Sequence, residues 1–255
     1  MTNCKNCGTD ITLNFCPKCG QPAVLKRIDA HYIVHEIEHV LHIDAHYIVH
    51  EIEHVLHFER GILYTIRELI TTPGKNVKKY IAENRSRLVK PIIFIIITSL
   101  IYSIVSHFFH VNDKYVSYYE SQHSTTGSIY LWIQDHYGYA NIMIGLFIAF
   151  WAKLFFKKYG FNLFEIVILL CFILGMTMLI YTIFALVEGV THTSVMVQAS
   201  IVAMLYSVWA IGQFFDPYKI PSYLKALAVY ILGYLSFTVV VVIIGLSIDL
   251  ILMKR

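Results

Sequence analysis

Two cysteine pairs open the chain, Cys4-x2-Cys7 and Cys16-x2-Cys19, with eight residues between them. Four thiolates at this spacing supply the closed tetrahedral shell that Zn2+ takes in structural sites, and eight intervening residues suit a miniature zinc ribbon. Gly20, directly after the fourth cysteine, lets backbone amides turn toward the sulfurs. With all four positions filled by sulfur, none is open for water. The chemistry expected of Cys4, Cys7, Cys16 and Cys19 is therefore structural or protein-docking, not catalytic. Disulfides are the alternative use of these thiols, and a reducing compartment disfavours them.

A second metal-like pattern follows. His35-Glu36-Ile37-Glu38-His39 and His50-Glu51-Ile52-Glu53-His54 both match H-E-x-x-H. In zinc proteases the two histidines at i and i+4 hold the metal while the glutamate activates its water. Here eight of thirty residues in the segment are histidine, so matches by chance are cheap. His35, His39, His50 and His54 read first as a polar helix face, then as incidental metal ligands, and only last as a protease centre. Walker, GxSxG and dinucleotide fingerprints are absent from the sequence.

The remaining chemistry-bearing residues sit in apolar surroundings. Glu165, Glu188 and Asp249 lie near the ends of apolar segments, where they reach an interface, so a proton relay through a bilayer centre has little support. Ala199, Ala203 and Ser207 form a small-xxx-small stripe that favours close helix packing, within the chain or between copies. Gln198 flanks that stripe, and Thr177 and Tyr181 lie on the preceding segment. These polar residues line a path through the membrane or make interhelical hydrogen bonds, the second being the ordinary use. Cys171, alone in an apolar run, is expected to pack.

The elements that must carry these residues follow from composition. Mean hydropathy is +0.60 and 57% of residues are hydrophobic, above the range of ordinary soluble domains. Five segments are long and apolar enough to span a bilayer: about 91–109, 140–156, 163–187, 194–215 and 224–252. The expected fold is all-α, a bundle of about five transmembrane helices over residues 91–255. Lysine and arginine cluster before the first span, after the second and between the fourth and fifth. The loop 110–139 has only Lys114 and the loop 188–193 has none, so the N-terminus is expected in the cytosol. Lys254-Arg255 falls on the opposite side unless the last segment re-enters. The net charge of +3 is too small to argue for nucleic acid, and anionic lipid headgroups explain the basic rim more simply.

Ahead of the bundle, residues 1–24 form the ribbon, 25–57 a histidine-rich amphipathic helix, and 58–90 the approach to the membrane. In the approach, Gly61–Ile70 reads as a short helix with Ile62, Ile66, Leu69 and Ile70 on one side. Pro73-Gly74 stops it, and a basic helix around 75–87 follows, both lying along the membrane surface. Residues 28–42 and 43–57 are the same fifteen letters, IDAHYIVHEIEHVLH, twice over. Fifteen helical residues add about 22 Å and a rotation of about 60°. A chain that tolerates such an insertion is not expected to need a rigid geometry between its ribbon and its membrane core.

The stretch from His57 to Pro91 resembles a bacterial membrane family catalogued as domain of unknown function 3667. The matching residues are His57, Gly61, Leu63-Tyr64-Thr65, Glu68-Leu69, Pro73-Gly74-Lys75, Tyr80-Ile81, Arg85 and Lys90-Pro91. Asn84 stands where the pattern expects glycine, no aromatic precedes Lys90-Pro91, and the second fifteen-residue copy is extra. The resemblance implies an N-terminal ribbon, a bundle of about five spans and a bacterial inner membrane, and implies no reaction. The expectation drawn from all of this is a non-enzymatic multi-pass protein carrying structural Zn2+. Its cytosolic ribbon would dock a protein partner or the lipid surface, and its bundle would self-associate. An oligomeric channel gated from the cytosolic domain, with Thr177, Gln198 and Ser207 facing an axis, is the second expectation. A metalloprotease is the third.

Overall fold

The computed structural model describes residues 2–4, 8–11, 14–18, 20, 22, 25–41, 61–111 and 125–253. A two-stranded antiparallel ribbon, β1 (Thr2–Asn3) and β2 (Asp10–Ile11), pairs Thr2 with Ile11 and Asn3 with Asp10. Helix α1 (Ala30–Leu41) follows. Then come two short helices, α2 (Ile62–Thr71) and α3 (Pro73–Ala82), and the long apolar helices α4 (Pro91–Phe108), α6 (Tyr137–Phe155), α7 (Leu163–Thr191), α8 (Met196–Phe215) and α9 (Ile220–Met253). Between α4 and α6 lies α5 (Thr125–Asp135). Helices α4, α7, α8 and α9 are each long and apolar enough to cross a bilayer. A fifth crossing exists if α5 and α6, bent by more than 40° where they join, count as one. The apolar helices make this a membrane protein in composition and length.

The central helix is α7. An Asn162–Glu165 capping box starts it: the Asn162 side chain accepts from the Glu165 amide, and Glu165 accepts from the Asn162 amide. Its middle is buried all round, packed on α4, α6 and α8. Phe94 of α4 rests on Phe172 with ring centroids 5.8 Å apart, and Gly175 leaves the room Phe94 occupies. Helix α9 is one uninterrupted helix of 34 residues, so the last segment does not re-enter. At about 51 Å it exceeds a hydrocarbon core of about 30 Å. Its far end receives the start of α5, where Asp249 accepts from the Thr125 amide at 3.1 Å.

The approach helices pack into the end of the bundle, and the second is shorter than expected. Pro73 occupies the first helical position of α3, where a missing N–H costs nothing, so it starts that helix directly after the α2 end. Pro73, Gly74, Asn76, Val77, Tyr80 and Ile81 are all buried against α7 and α8. The helix ends at Ala82 rather than near 87, because Asn84 closes a turn by accepting from the amide and hydroxyl of Ser86. An aromatic box seals the same end of the bundle. Phe156 stacks on Phe215 at 4.0 Å, Phe161 meets Phe214 at 4.6 Å, and Lys78 lies over both Phe161 and Phe214. Burial lowers the pKa of Lys78. This end also carries Lys153, Lys157, Lys158 and Lys219, and is called the basic end below.

Candidate functional site

A polar, partly buried cluster at the basic end forms where the N-terminal segment meets the bundle. Its first part is a clamp. Arg27 places Nε on Glu165 Oε1 and an Nη on Glu165 Oε2, both at 2.8 Å, and donates to the Gly160 carbonyl at 2.5 Å. This is the planar fork that matches guanidinium to carboxylate. Beside it, Asn162 donates its side-chain amide to the Ile28 carbonyl at 2.7 Å. Ile28 is fully buried in the main core. The residues that cap α7 therefore also hold the segment leading out of the ribbon.

The second part lies one helical turn further along. Asp29 accepts from the Tyr32 amide at 3.0 Å and caps the start of α1. Tyr32 and Glu36, four residues apart, share one face of the helix. The Tyr32 hydroxyl donates to Glu36 Oε1 at 3.1 Å and lies 3.1 Å from the hydroxyl of Tyr80 on α3. Tyr32 has one proton and gives it to the carboxylate, so Tyr80 donates to Tyr32. Arg85 covers the Tyr32 ring at 4.8 Å and reaches the Lys26 carbonyl. Tyr80 is fully buried and meets Phe172 edge-on at 5.3 Å.

Glu36 is only 5% exposed, and its Oε2 is buried without a hydrogen bond. Loss of water pushes its carboxyl pKa up, against the opposing pull of Tyr32, Lys90, His35 and Arg85. Burial likewise pushes the Tyr32 phenol up to about 12 and the Tyr80 phenol well above its usual range.

This placement bears on the H-E-x-x-H pattern. His35 is exposed, with its ring 6.4 Å from that of His31, whereas Glu36 turns into the bundle and is engaged by Tyr32. His39 lies in α1. His42, His50 and His54, with the whole second copy, lie outside the described residues. Among the described residues no group of three or more His, Cys, Asp or Glu side chains is placed to hold a metal ion.

In the ribbon, Cys4 and Cys16 are buried around Ile11, while Cys7 and Cys19 lie outside the described residues. The two halves repeat one geometry. Gly8 donates to the Cys4 carbonyl and Gly20 to the Cys16 carbonyl, both at 2.9 Å, with φ of 73° and 69°. Each glycine follows the second cysteine of its pair and takes the left-handed conformation that glycine adopts without a steric cost. A structural zinc ion would fit the donor chemistry of the four cysteines, of which Cys4 and Cys16 lie together around Ile11.

The residues considered for a pore do not converge. Ala199, Ala203 and Ser207 are fully buried within the chain, on the helix that packs between α7 and α9. Thr177 is buried and donates to the Leu174 carbonyl of its own helix at 2.7 Å, while Gln198 is exposed. Glu188 accepts from the Val195 amide at 2.9 Å and so ties down the α7–α8 turn. Cys171 is buried in the core.

The 61–91 stretch supplies the receiving surface. Thr65 accepts from the Val89 amide at 3.0 Å, Glu68 pairs with Arg87 at 2.5 Å, and the Leu69 carbonyl takes the Tyr206 hydroxyl at 3.0 Å. Gly74 donates to Gln213 Oε1 at 2.8 Å. A family model described as "Protein of unknown function (DUF3667)" matches residues 59–103, which take in α2, α3 and most of α4. The match supports an uncharacterised family. No curated protein and no solved structure matches the chain.

Sequence reasoning missed the clamp and the Tyr32–Glu36–Tyr80 contact. The i, i+4 spacing of Tyr32 and Glu36 was one signal, and the presence of Tyr80 and Arg85 in the family-like stretch was the other.

Proposed function

We propose that this chain is a non-enzymatic, multi-pass membrane protein that docks a cytosolic protein partner through its N-terminal zinc ribbon. Cys4, Cys7, Cys16 and Cys19 would hold the ion, and the basic end of the bundle would face the cytosol, in keeping with the positive-inside bias. A bacterial inner membrane is the setting that the family resemblance implies. The observation that carries the reading is the clamp: Arg27 and Ile28, eight and nine residues after Cys19, are fixed to Glu165 and Asn162. A load on a ribbon that ends so few residues before this clamp would reach the start of α7 through it. Self-association through the exposed apolar faces belongs to the same reading.

The test joins two measurements on the purified full chain. Metal analysis is expected to return about one zinc per chain, lost when the four cysteines become serine. Ion flux through liposomes carrying the zinc-loaded protein is expected to equal that of empty liposomes. Flux that the serine variant alters would replace this reading with the gated channel, and absence of zinc would remove the ribbon from it.

A further inference from the structure

An apolar groove opens on the side of the bundle beneath α2. Ile66 and Ile70 of α2 form its roof, and Met176, Leu179, Ile180 and Ile183 of α7 line it with Tyr206 of α8. Its volume is about 360 Å³, which at ~30 Å³ per water-sized group holds about twelve of them. The polar atoms at its walls are spent. Thr182 donates to the Met178 carbonyl and Tyr206 to the Leu69 carbonyl. Water gains no partners there.

The depth of the groove follows from the lengths of the helices. Helix α7 has 29 residues and runs about 43 Å, so some 13 Å of it lies outside a hydrocarbon core of about 30 Å. Helix α4 begins at Pro91, and its first turn meets α7 at Phe172 and Gly175. The hydrocarbon boundary at the basic end therefore falls near Phe172. Met176 to Ile183 then lie about 6–16 Å inside it. Helix α2 sits above them at the headgroup level, with Leu63 and Ile70 exposed and Arg67 exposed between them. Arg67 makes no ion pair among the described residues, whereas its neighbour Glu68 is neutralised by Arg87. The helix that roofs the apolar slot thus carries an exposed cation with no ion pair among the described residues.

We propose that this groove binds one acyl chain of an anionic phospholipid, with the lipid phosphate on Arg67. The site is separate from the ribbon and from the α1 junction, so it stands or falls independently of the docking role. Length and chemistry agree: an elongated carbon ligand fills a slot that water does not, and its charged end lies where a guanidinium awaits a phosphate.

The experiment is native mass spectrometry of the delipidated full chain, titrated with phosphatidylglycerol or phosphatidylcholine of matched acyl chains. The variants are Arg67→Gln and Ile183→Trp, both at exposed positions, and unchanged melting temperature in detergent establishes that they fold. The native chain is expected to take one phosphatidylglycerol about tenfold more tightly than phosphatidylcholine. Arg67→Gln is expected to erase that preference, and Ile183→Trp to weaken both lipids about tenfold. Equal binding of the two lipids by the native chain would overturn the proposal. So would inorganic phosphate competing as well as the lipid, which would mark a bare anion site.

Discussion

Replacing Gly74 by alanine tests whether the family-like stretch is a packing signature. A Cβ built on Gly74 lies 2.2 Å from the Phe214 amide nitrogen, 2.6 Å from the Gln213 carbonyl carbon and 2.7 Å from Phe214 Cα. All three are backbone atoms of α8, so no side chain can swing aside. Ordinary contact begins near 3.4 Å, and α3 must move away from α8 by more than 1 Å. Overpacking of this kind costs about 1–3 kcal/mol. The same displacement breaks the Gly74–Gln213 hydrogen bond, for about 1 kcal/mol more. Alanine's better helix propensity returns at most about 1 kcal/mol, leaving a net loss of roughly 1–3 kcal/mol. At 2–4 °C per kcal/mol for a chain of this size, the melting temperature falls by about 2–12 °C. The control is Gly145→Ala, whose Cβ meets a movable Leu174 methyl at 3.2 Å and whose propensity gain offsets the crowding. Thermal unfolding in one detergent, followed by tryptophan fluorescence, compares the two. Equal melting temperatures for both variants would refute the argument that α3 is wedged against the α8 backbone.

The remaining predictions concern the N-terminal junction. Because burial raises the Glu36 pKa, docked α1 holds a proton more tightly than undocked α1. Docking stability is then full below about pH 4.5 and falls as pH rises through the raised value. A fluorophore on the exposed Val34 should report this loss, and Glu36→Gln should flatten it; a flat native profile would sink the idea. Arg27→Ala should weaken docking by about 1–2 kcal/mol, a discounted figure because the Arg27 side chain is 57% exposed. Arg27→Lys should restore little of it, since an ammonium lacks the fork, and full rescue by lysine would show that charge alone matters. Deleting one fifteen-residue copy should leave the Val34 probe signal unchanged, while a shifted signal would show that the second copy takes part in docking.

The apolar helices were legible because twenty-residue hydrophobic runs have few alternatives to crossing a bilayer, and α7 and α8 fall close to the segments read for them. The end of α3 was less legible. Asn84 and Ser86 form a side-chain turn that interrupts a basic helical pattern, and that turn depends on local hydrogen bonding rather than periodicity. Tyr80 read as one letter of a motif, and its role appears only when Tyr32, 48 positions earlier, is brought to 3.1 Å. The same holds for Glu165, which was expected merely to reach an interface. Its capping box was readable from Asn162-x-x-Glu165, but the Arg27 that completes it is 138 positions away. Spacing within one helix is written in the sequence. Pairing between distant segments is not.

The duplicated segment shows what that distinction costs. Tolerance of an insertion argued for a loose link between ribbon and bundle, but every docking contact described here is made by residues 26–36, upstream of the point where the copies diverge in position. Removing either copy leaves the same letters after Arg27, so Ile28, Asp29, Tyr32 and Glu36 keep their order and their spacing from the clamp. The extra fifteen residues instead lengthen the connection between α1 and α2. The insertion therefore leaves the segment between the ribbon and the clamp as short as before.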